Sequence, residues 1–184
     1  MKFVDFLNEM AATIKLSPEE IKDHIVSYDQ LMKYKATKFG YIDDYDLLKT
    51  PTAFYAVDAE NKKIVMYSRI AVRDQPSSKV LKRFRQQTMV WKENHITTKQ
   101  FNVFFMYVLE NIGTIFGDES QTIGAQKFWK SLFEHYKGST YYEIGYYDDA
   151  NDTLHKFTRD DTLKDFDEAV YKKSDYNIAY IKMI

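Results

Sequence analysis

The sequence contains no cysteine in 184 residues. A chain without cysteine has no disulfide framework, no thiolate zinc site and no cysteine nucleophile. Histidine is also scarce: the four are widely spaced, and no pair has the spacing of two metal ligands on one helix. They are His24, His95, His135 and His155. We therefore predict no metal site.

The chain lacks an excess of either charge and lacks long apolar segments. Lysine and arginine total 26 against 27 acidic residues, a formal net charge of −1, which argues against nucleic acid as a partner. The longest apolar run, residues 103–109, is far shorter than the ~20 residues that span a bilayer. Charged residues interrupt the first nine positions, so they lack the apolar core of a signal peptide. We expect a cytoplasmic protein with no membrane contact.

The first forty residues have the pattern of helices. Ser17-Pro18-Glu19-Glu20 is a capping box with proline at the first helical position. The apolar residues that follow lie at spacings of four, three and four, as on one helix face: Ile21, Ile25, Tyr28 and Met32. Gly40 is a plausible end of this helix, and residues 3–14 are expected to form a shorter one. We assign residues 1–50 to an N-terminal helical extension and 51–184 to one compact domain.

From residue 51 the apolar period changes to two, which predicts strands. Residues 52–58 and 63–72 form a predicted hairpin, and 87–91 a third strand. Thr97-x-x-Gln100 is a capping box that opens an apolar helix over 101–112, with Gly113 at its end. The remaining predicted elements are a strand at 114–117, a helix at about 121–137, strands at 140–147 and 153–158, a helical piece at 160–172, and a strand at 177–184. This order indicates an α+β fold with a mostly antiparallel sheet flanked by helices.

Residues 112–138 resemble the second half of the GNAT acetyltransferase fold, in particular divergent GNAT-type proteins carried by bacteriophages. The resemblance lies in a helix ending in glycine, a strand ending in Asp118, and a helix that carries Phe128-Trp129 and closes at Gly138. It extends more loosely over 52–184. It implies that the 114–117 strand runs parallel to the 87–92 strand. We also expect Phe128 and Trp129 to be largely buried.

The resemblance implies acetyl-CoA as cofactor and an N-acetyltransferase-like activity. In the family, a glycine-rich turn and the following helix N-terminus hold the cofactor's pyrophosphate. The matching turn here, 93–100, contains no glycine. Thr97, Thr98 and Lys99 are the cofactor-binding candidates, although the threonines would serve equally as helix caps.

Glu93 and His95 are the catalytic candidates, because they follow the strand at whose end a general base would sit in this fold. The alternative is that they are ordinary exposed polar residues at a strand end. The family often places a tyrosine general acid on the helix after the next strand. The matching residue here is Trp129, whose indole N–H is not a proton donor at neutral pH. Tyr136, two turns on, is expected to pack in the core.

A second hypothesis is a non-catalytic GNAT-like protein that binds a host or virion protein, or a second copy of itself. Tyr141-Tyr142 and Tyr146-Tyr147 place aromatic side chains on both faces of one strand, and aromatic residues are favoured at interfaces. A basic segment and an acidic tract are further candidate surfaces, for phosphate and for a partner respectively, or are simply solvated. The basic residues are Arg69, Arg73, Lys79, Lys82, Arg83, Arg85 and Lys92; the acidic ones are Asp148, Asp149, Asp152, Asp160, Asp161, Asp165, Asp167 and Glu168. The hairpin aspartates lack the glycine and the final glutamate of a calcium loop.

Overall fold

The computed structural model describes residues 22–23, 25–118, 123–172 and 177–184. The predicted helix at 3–14 and the capping box at Ser17 lie outside these residues. The elements are α1 (Tyr28–Lys33), β1 (Thr37–Ile42), β2 (Tyr45–Lys49), β3 (Ala53–Asp58), β4 (Lys63–Asp74), β5 (Arg83–Lys92), α2 (Thr98–Ile112), β6 (Thr114–Phe116), α3 (Ile123–Tyr136), β7 (Tyr142–Asp148), β8 (Thr153–Lys156), α4 (Leu163–Asp167), a π-helical turn (Glu168–Lys172) and β9 (Asn177–Met183).

The nine strands are ordered β1-β2-β3-β4-β5-β6-β9-β7-β8 in one mostly antiparallel sheet. The exception is β5 and β6, which pair in parallel with Gln86 opposite Phe116. The α+β class and the parallel pairing of these two segments are therefore confirmed. A parallel pair needs a crossover connection, and α2 is that connection.

The chain divides into two compact units. One is Met1–Ala71 with Gln87–Asn111; the other is Val72–Gln86 with Ile112–Ile184. The predicted boundary at residue 50 falls between β2 and β3 of the first unit.

In the first unit, the helical expectation is wrong over 37–49. These residues form the β1–β2 hairpin, and Gly40 lies inside β1 instead of ending a helix. The segment is rich in aromatic and β-branched residues, which favour strands, and Asp43 makes the turn in a left-handed conformation with φ of 50°. The helix before it is the six-residue α1, capped by a reciprocal pair of hydrogen bonds between Ser27 and Gln30.

The core of the first unit lies against the β2–β3–β4 strands. One buried cluster of this core consists of Leu31, Leu48, Ala53, Tyr55, Val57, Tyr67, Met89 and Trp91. Helix α2 begins as predicted. The Thr97 hydroxyl accepts from the backbone N–H of Gln100 at 3.2 Å, and the Gln100 side chain accepts from the N–H of Thr97 at 3.0 Å. The helix ends at Ile112, where Gly113 has φ of +85°.

In the second unit, the predicted β7–β8 hairpin and the final strand are confirmed. The 160–172 piece is helical as predicted, but it continues from α4 into a π-helical turn. Three phenylalanine rings pack between α3, the segment after β8 and α4, with centroids 5.0 to 5.4 Å apart: Phe133, Phe157 and Phe166. Trp129 is 2% exposed, as expected. Phe128, next to it, is more exposed than Trp129 but is not among the exposed residues.

Strand β7 contains a glycine at a position with no room for a side chain unless its neighbours move. Gly145 lies opposite Tyr180 of β9, and the Tyr180 ring covers it. A Cβ atom there would lie 2.7 Å from the Tyr180 hydroxyl oxygen and would overlap the backbone carbonyl oxygen of His155. The Tyr180 hydroxyl instead donates to Glu143 Oε1 at 2.7 Å.

Candidate functional site

The turn between β5 and α2 is compact and is held by its own hydrogen bonds. The N–H of Ile96 donates to the carbonyl oxygen of Glu93 at 3.1 Å, and Lys92 Nζ donates to the carbonyl oxygen of Ile96 at 2.7 Å. The Ile96 side chain is 2% exposed and anchors the turn in the first unit. These hydrogen bonds hold the tight turn before α2, so the turn forms without a glycine.

Thr97 serves as the helix cap, the alternative given for it above. Its hydroxyl donates to Gln100 Oε1 at 3.0 Å and accepts from the Gln100 N–H, so its single donor is used within the chain. Thr98 and Lys99 occupy the next two positions and are exposed. The backbone N–H groups of the first turn of any α-helix have no partner within the helix, and those of Thr98 and Lys99 are among them here.

A cavity of about 500 Å³ opens beside the start of α2. Thr97, Lys99 and Gln100 line one side, and the end of β1 with its turn lines the other. Gln100 Nε2 donates to Asp43 Oδ2 at 2.9 Å. Tyr41 stands at the rim and is 70% exposed. The structure therefore brings two of the three cofactor-binding candidates, Thr97 and Lys99, to one cavity; Thr98 does not line it.

Glu93 faces a different cavity, of about 360 Å³. There its carboxylate forms a 2.8 Å ion pair with Lys22, whose ammonium also lies 5.4 Å from the centroid of the Trp91 ring. His95 lines neither cavity; its Nε2 lies 3.3 Å from the Tyr45 hydroxyl. The two catalytic candidates are thus not assembled around the cavity that Thr97 and Lys99 line.

The two aromatic residues of α3 that the resemblance singled out are packed side chains. Trp129 is buried. The Tyr136 ring meets the Tyr142 ring edge to face at a centroid distance of 4.9 Å, and burial, followed by the nearby Tyr142, raises the pKa of Tyr136. A tyrosine in this setting is a weaker acid than usual.

The three tyrosines of β7 and Tyr141, which precedes the strand, differ in exposure. Tyr141 is 75% exposed, whereas Tyr147 is 1% exposed and donates to Asp152 at 2.8 Å. Tyr146 stacks on His155 with a centroid distance of 4.7 Å. Sequence reasoning does not identify the exposed Tyr41, because it assigns residues 1–50 to a helical extension and predicts no hairpin there. Its place two residues before Asp43-Asp44 is the signal that could have identified a hairpin tip.

The acidic residues of the β7–β8 turn organise the chain locally. Asp148 accepts from the backbone N–H and the side-chain amide of Asn151 at 3.1 and 2.8 Å. Asp152 accepts from Ser78 and, at 2.6 Å, from the N–H of Lys79, and these bonds hold its pKa below the usual range. Within the described ranges, no group of three or more histidine or acidic side chains is placed to hold a metal ion.

No protein-family model matches this chain, and no curated protein and no solved structure matches it either. In the part of the chain that the structure describes, no helix has the length and apolar character needed to cross a membrane.

Proposed function

We propose that this chain is a GNAT-like protein that acts by binding another protein and not by transferring an acetyl group. The GNAT-like part of the proposal is supported by the β5–α2–β6 arrangement, in which a helix connects two adjacent parallel strands. The residue pattern over 112–138 that resembles the family lies on α3 and the elements beside it.

The observation that carries the non-catalytic part is the separation of the candidate groups. A general base has to come within hydrogen-bonding reach of the substrate, about 2.6–3.2 Å, directly or through one water. Glu93 lines one cavity and is paired with Lys22, whereas Thr97 and Lys99 line another. The Thr97 hydroxyl is also occupied by its helix cap. A ligand held by Thr97 and Lys99 would therefore lie in a cavity that the base does not line.

The proposed partner-binding surface is the rim of the 500 Å³ cavity. Tyr41 is 70% exposed and Val103 is 38% exposed on opposite sides of it, with Tyr107 within the lining. Lys99 and Asp43 add one charge of each sign. An exposed aromatic residue beside a small apolar recess with mixed charge at its edge is the usual composition of an interface anchor. From the phage resemblance we propose a host or virion protein as the partner.

The experiment combines cross-linking with a binding measurement. A photo-reactive phenylalanine analogue at position 41 should give a discrete cross-linked protein in the native host, and the analogue at position 34 should not, since Tyr34 is equally exposed at 66% but lies outside the cavity. With that protein purified, Tyr41→Ala should weaken binding by ~2 kcal/mol, about thirtyfold, and Tyr34→Ala should leave it unchanged. Equal loss in both variants would contradict the proposal.

Acetyl-CoA binding is the second candidate function, favoured by the position of Thr97 and Lys99 in one cavity at the start of a 15-residue helix. The positive end of the helix dipole favours phosphate there. Isothermal titration decides between the two. Under the binding-protein proposal, acetyl-CoA gives no heat of binding at millimolar concentration. Micromolar binding that Lys99→Ala weakens more than tenfold would overturn that proposal in favour of a cofactor site.

A further inference from the structure

The second unit has its own cavity, about 500 Å³ in volume, lined in large part by residues of β5, β6 and β9. Its floor is aromatic. The rings of Phe84 and Phe116 are 5.1 Å apart between centroids, and those of Phe116 and Tyr180 are 5.5 Å apart. Leu81 packs in the same cluster. The rings are inclined to one another, by 65° between Phe84 and Phe116 and by 36° between Phe116 and Tyr180. Phe116 and Tyr180 are almost fully buried, so the partly exposed Phe84 supplies most of the accessible aromatic surface.

Three cations stand around this floor: Arg83, Arg85 and Lys182. Lys182 is neutralised by Glu143, with Nζ and Oε1 2.9 Å apart, and Arg83 lies 3.6 Å from Asp74. Arg85 differs from both. Its Nη1 donates to the backbone carbonyl oxygen of Ile112 at 2.8 Å, and across the described residues no carboxylate lies within ion-pair distance of it.

The consequence is a positioned positive charge, which no carboxylate of the described residues compensates, at the edge of an apolar recess. The carbonyl bond restrains the Arg85 guanidinium, so little side-chain freedom remains to be lost when it binds an anion. A guanidinium has five N–H donors, and one bond to a carbonyl leaves donors for a carboxylate or sulfonate. The volume is within the range of small-molecule sites.

We propose that this cavity binds a small organic anion with a flat apolar body, such as an aromatic carboxylate or sulfonate. The apolar body lies against Phe84, which packs on the buried Phe116 and Tyr180, and the acidic group pairs with Arg85. Two of the three cations, Lys182 and Arg83, already have carboxylate neighbours. Arg85 is the remaining cation, so the cavity favours a ligand with one acidic group. This site lies within the second unit and does not depend on the function proposed for the first.

Two fluorescent probes of similar shape test this proposal. 1-Anilinonaphthalene-8-sulfonate has the flat apolar body and the acid, and N-phenyl-1-naphthylamine has the body alone. Both are titrated against the wild type, Arg85→Gln, Thr114→Phe and Arg159→Gln. Thr114 lines the cavity, so a phenylalanine there fills it. Arg159 is an exposed arginine of the same unit outside the cavity and serves as the matched control.

We expect the sulfonate to bind the wild type and Arg159→Gln equally, and Arg85→Gln at least tenfold more weakly. Binding of the uncharged amine should change less than twofold in Arg85→Gln, and Thr114→Phe should weaken both probes at least tenfold. Unchanged sulfonate binding in Arg85→Gln would overturn the proposal, as would an equal loss of both probes in that variant or undiminished binding to Thr114→Phe. Absence of sulfonate binding to the wild type at millimolar concentration would overturn it as well.

Discussion

The replacement of Gly145 by alanine tests the packing of the second unit most directly. The new Cβ would lie 2.7 Å from the Tyr180 hydroxyl oxygen and 2.8 Å from a ring carbon of the same residue. It would also overlap the carbonyl oxygen of His155 on the neighbouring strand. The Tyr180 ring is 1% exposed, so it cannot swing into solvent without opening the core, and the His155 oxygen belongs to the backbone. Strand β8 or β9 must therefore move.

The expected loss of stability is the sum of two effects. Forcing a methyl group into a packed interior costs ~1–3 kcal/mol. Displacing Tyr180 also breaks its hydrogen bond to the Glu143 carboxylate, and hydrogen bonds to charged groups contribute ~1.5–3 kcal/mol. We expect a decrease of ~2.5–6 kcal/mol in the free energy of unfolding, which for a chain of this size lowers the thermal midpoint by ~5–24 °C.

Gly40→Ala is the matched control, since Gly40 also lies in a strand. A Cβ there would lie 3.5 Å from Leu47 and Tyr107, at ordinary van der Waals distance. Its thermal midpoint should be unchanged or slightly raised, because alanine reduces the entropy of the unfolded chain. Both variants are compared with the wild type by circular dichroism during thermal and urea unfolding. If Gly145→Ala has the midpoint of the wild type, the described packing of Tyr180 over β7 is wrong.

Three further predictions concern single side chains. Trp129→Ala should lower the free energy of unfolding in urea by ~3–5 kcal/mol, because the indole is buried; an unchanged midpoint would mean that α3 turns this face to solvent. Thr97→Ala should cost ~1 kcal/mol by removing the α2 cap, whereas Thr98→Ala, next to it, should cost less than half of that. Burial alone would raise the pKa of Glu143, but hydrogen bonds from Lys182 and Tyr180 outweigh it and hold the pKa below its usual value of 4.5. The stability that Glu143 contributes is therefore full above pH 4.5 and is lost as the pH falls through the lower pKa of the folded state. Urea titrations from pH 7 to pH 2 should accordingly show the wild type converging on Glu143→Gln; a constant difference between them would contradict this assignment.

Elements with an unambiguous period and a cap could be predicted from the sequence. Helix α2 combines a Thr97–Gln100 capping box, a buried apolar face and a terminal glycine, and all three agree with one another. The β1–β2 hairpin could not be predicted in the same way. Its short strands directly follow residues whose apolar spacing is that of a helix. Its turn also contains Asp43 in a left-handed conformation, and an aspartate indicates such a conformation much less clearly than a glycine does.

The candidate site could be predicted only as a set of residues, because the direction in which each side chain points depends on the fold. Glu93, His95 and Lys99 lie within seven positions of one another, yet Glu93 turns to Lys22, His95 to Tyr45, and Lys99 to the 500 Å³ cavity. The tight turn at Ile96 separates them, and its hydrogen bonds depend on backbone angles that side-chain identity does not fix. Likewise Arg83 and Arg85 are neighbours in sequence, and only the fold distinguishes the one beside a carboxylate from the one bound to a carbonyl.

The place of β9 in the sheet determines the order in which the second unit can assemble. β9 is the latest strand in the chain, yet it lies between β6 and β7, so these two earlier strands have no hydrogen-bonded neighbour in common until β9 arrives. The register of β9 on β7 is then determined by Gly145, the residue that leaves room for the Tyr180 ring. If β9 slips by two residues along β7, Tyr180 meets Glu143 or Tyr147, whose side chains fill the space that Gly145 leaves empty, and a slip by one turns the ring to the opposite face. The sheet of this unit is therefore complete only when β9 pairs with both β6 and β7, and that pairing accepts one register.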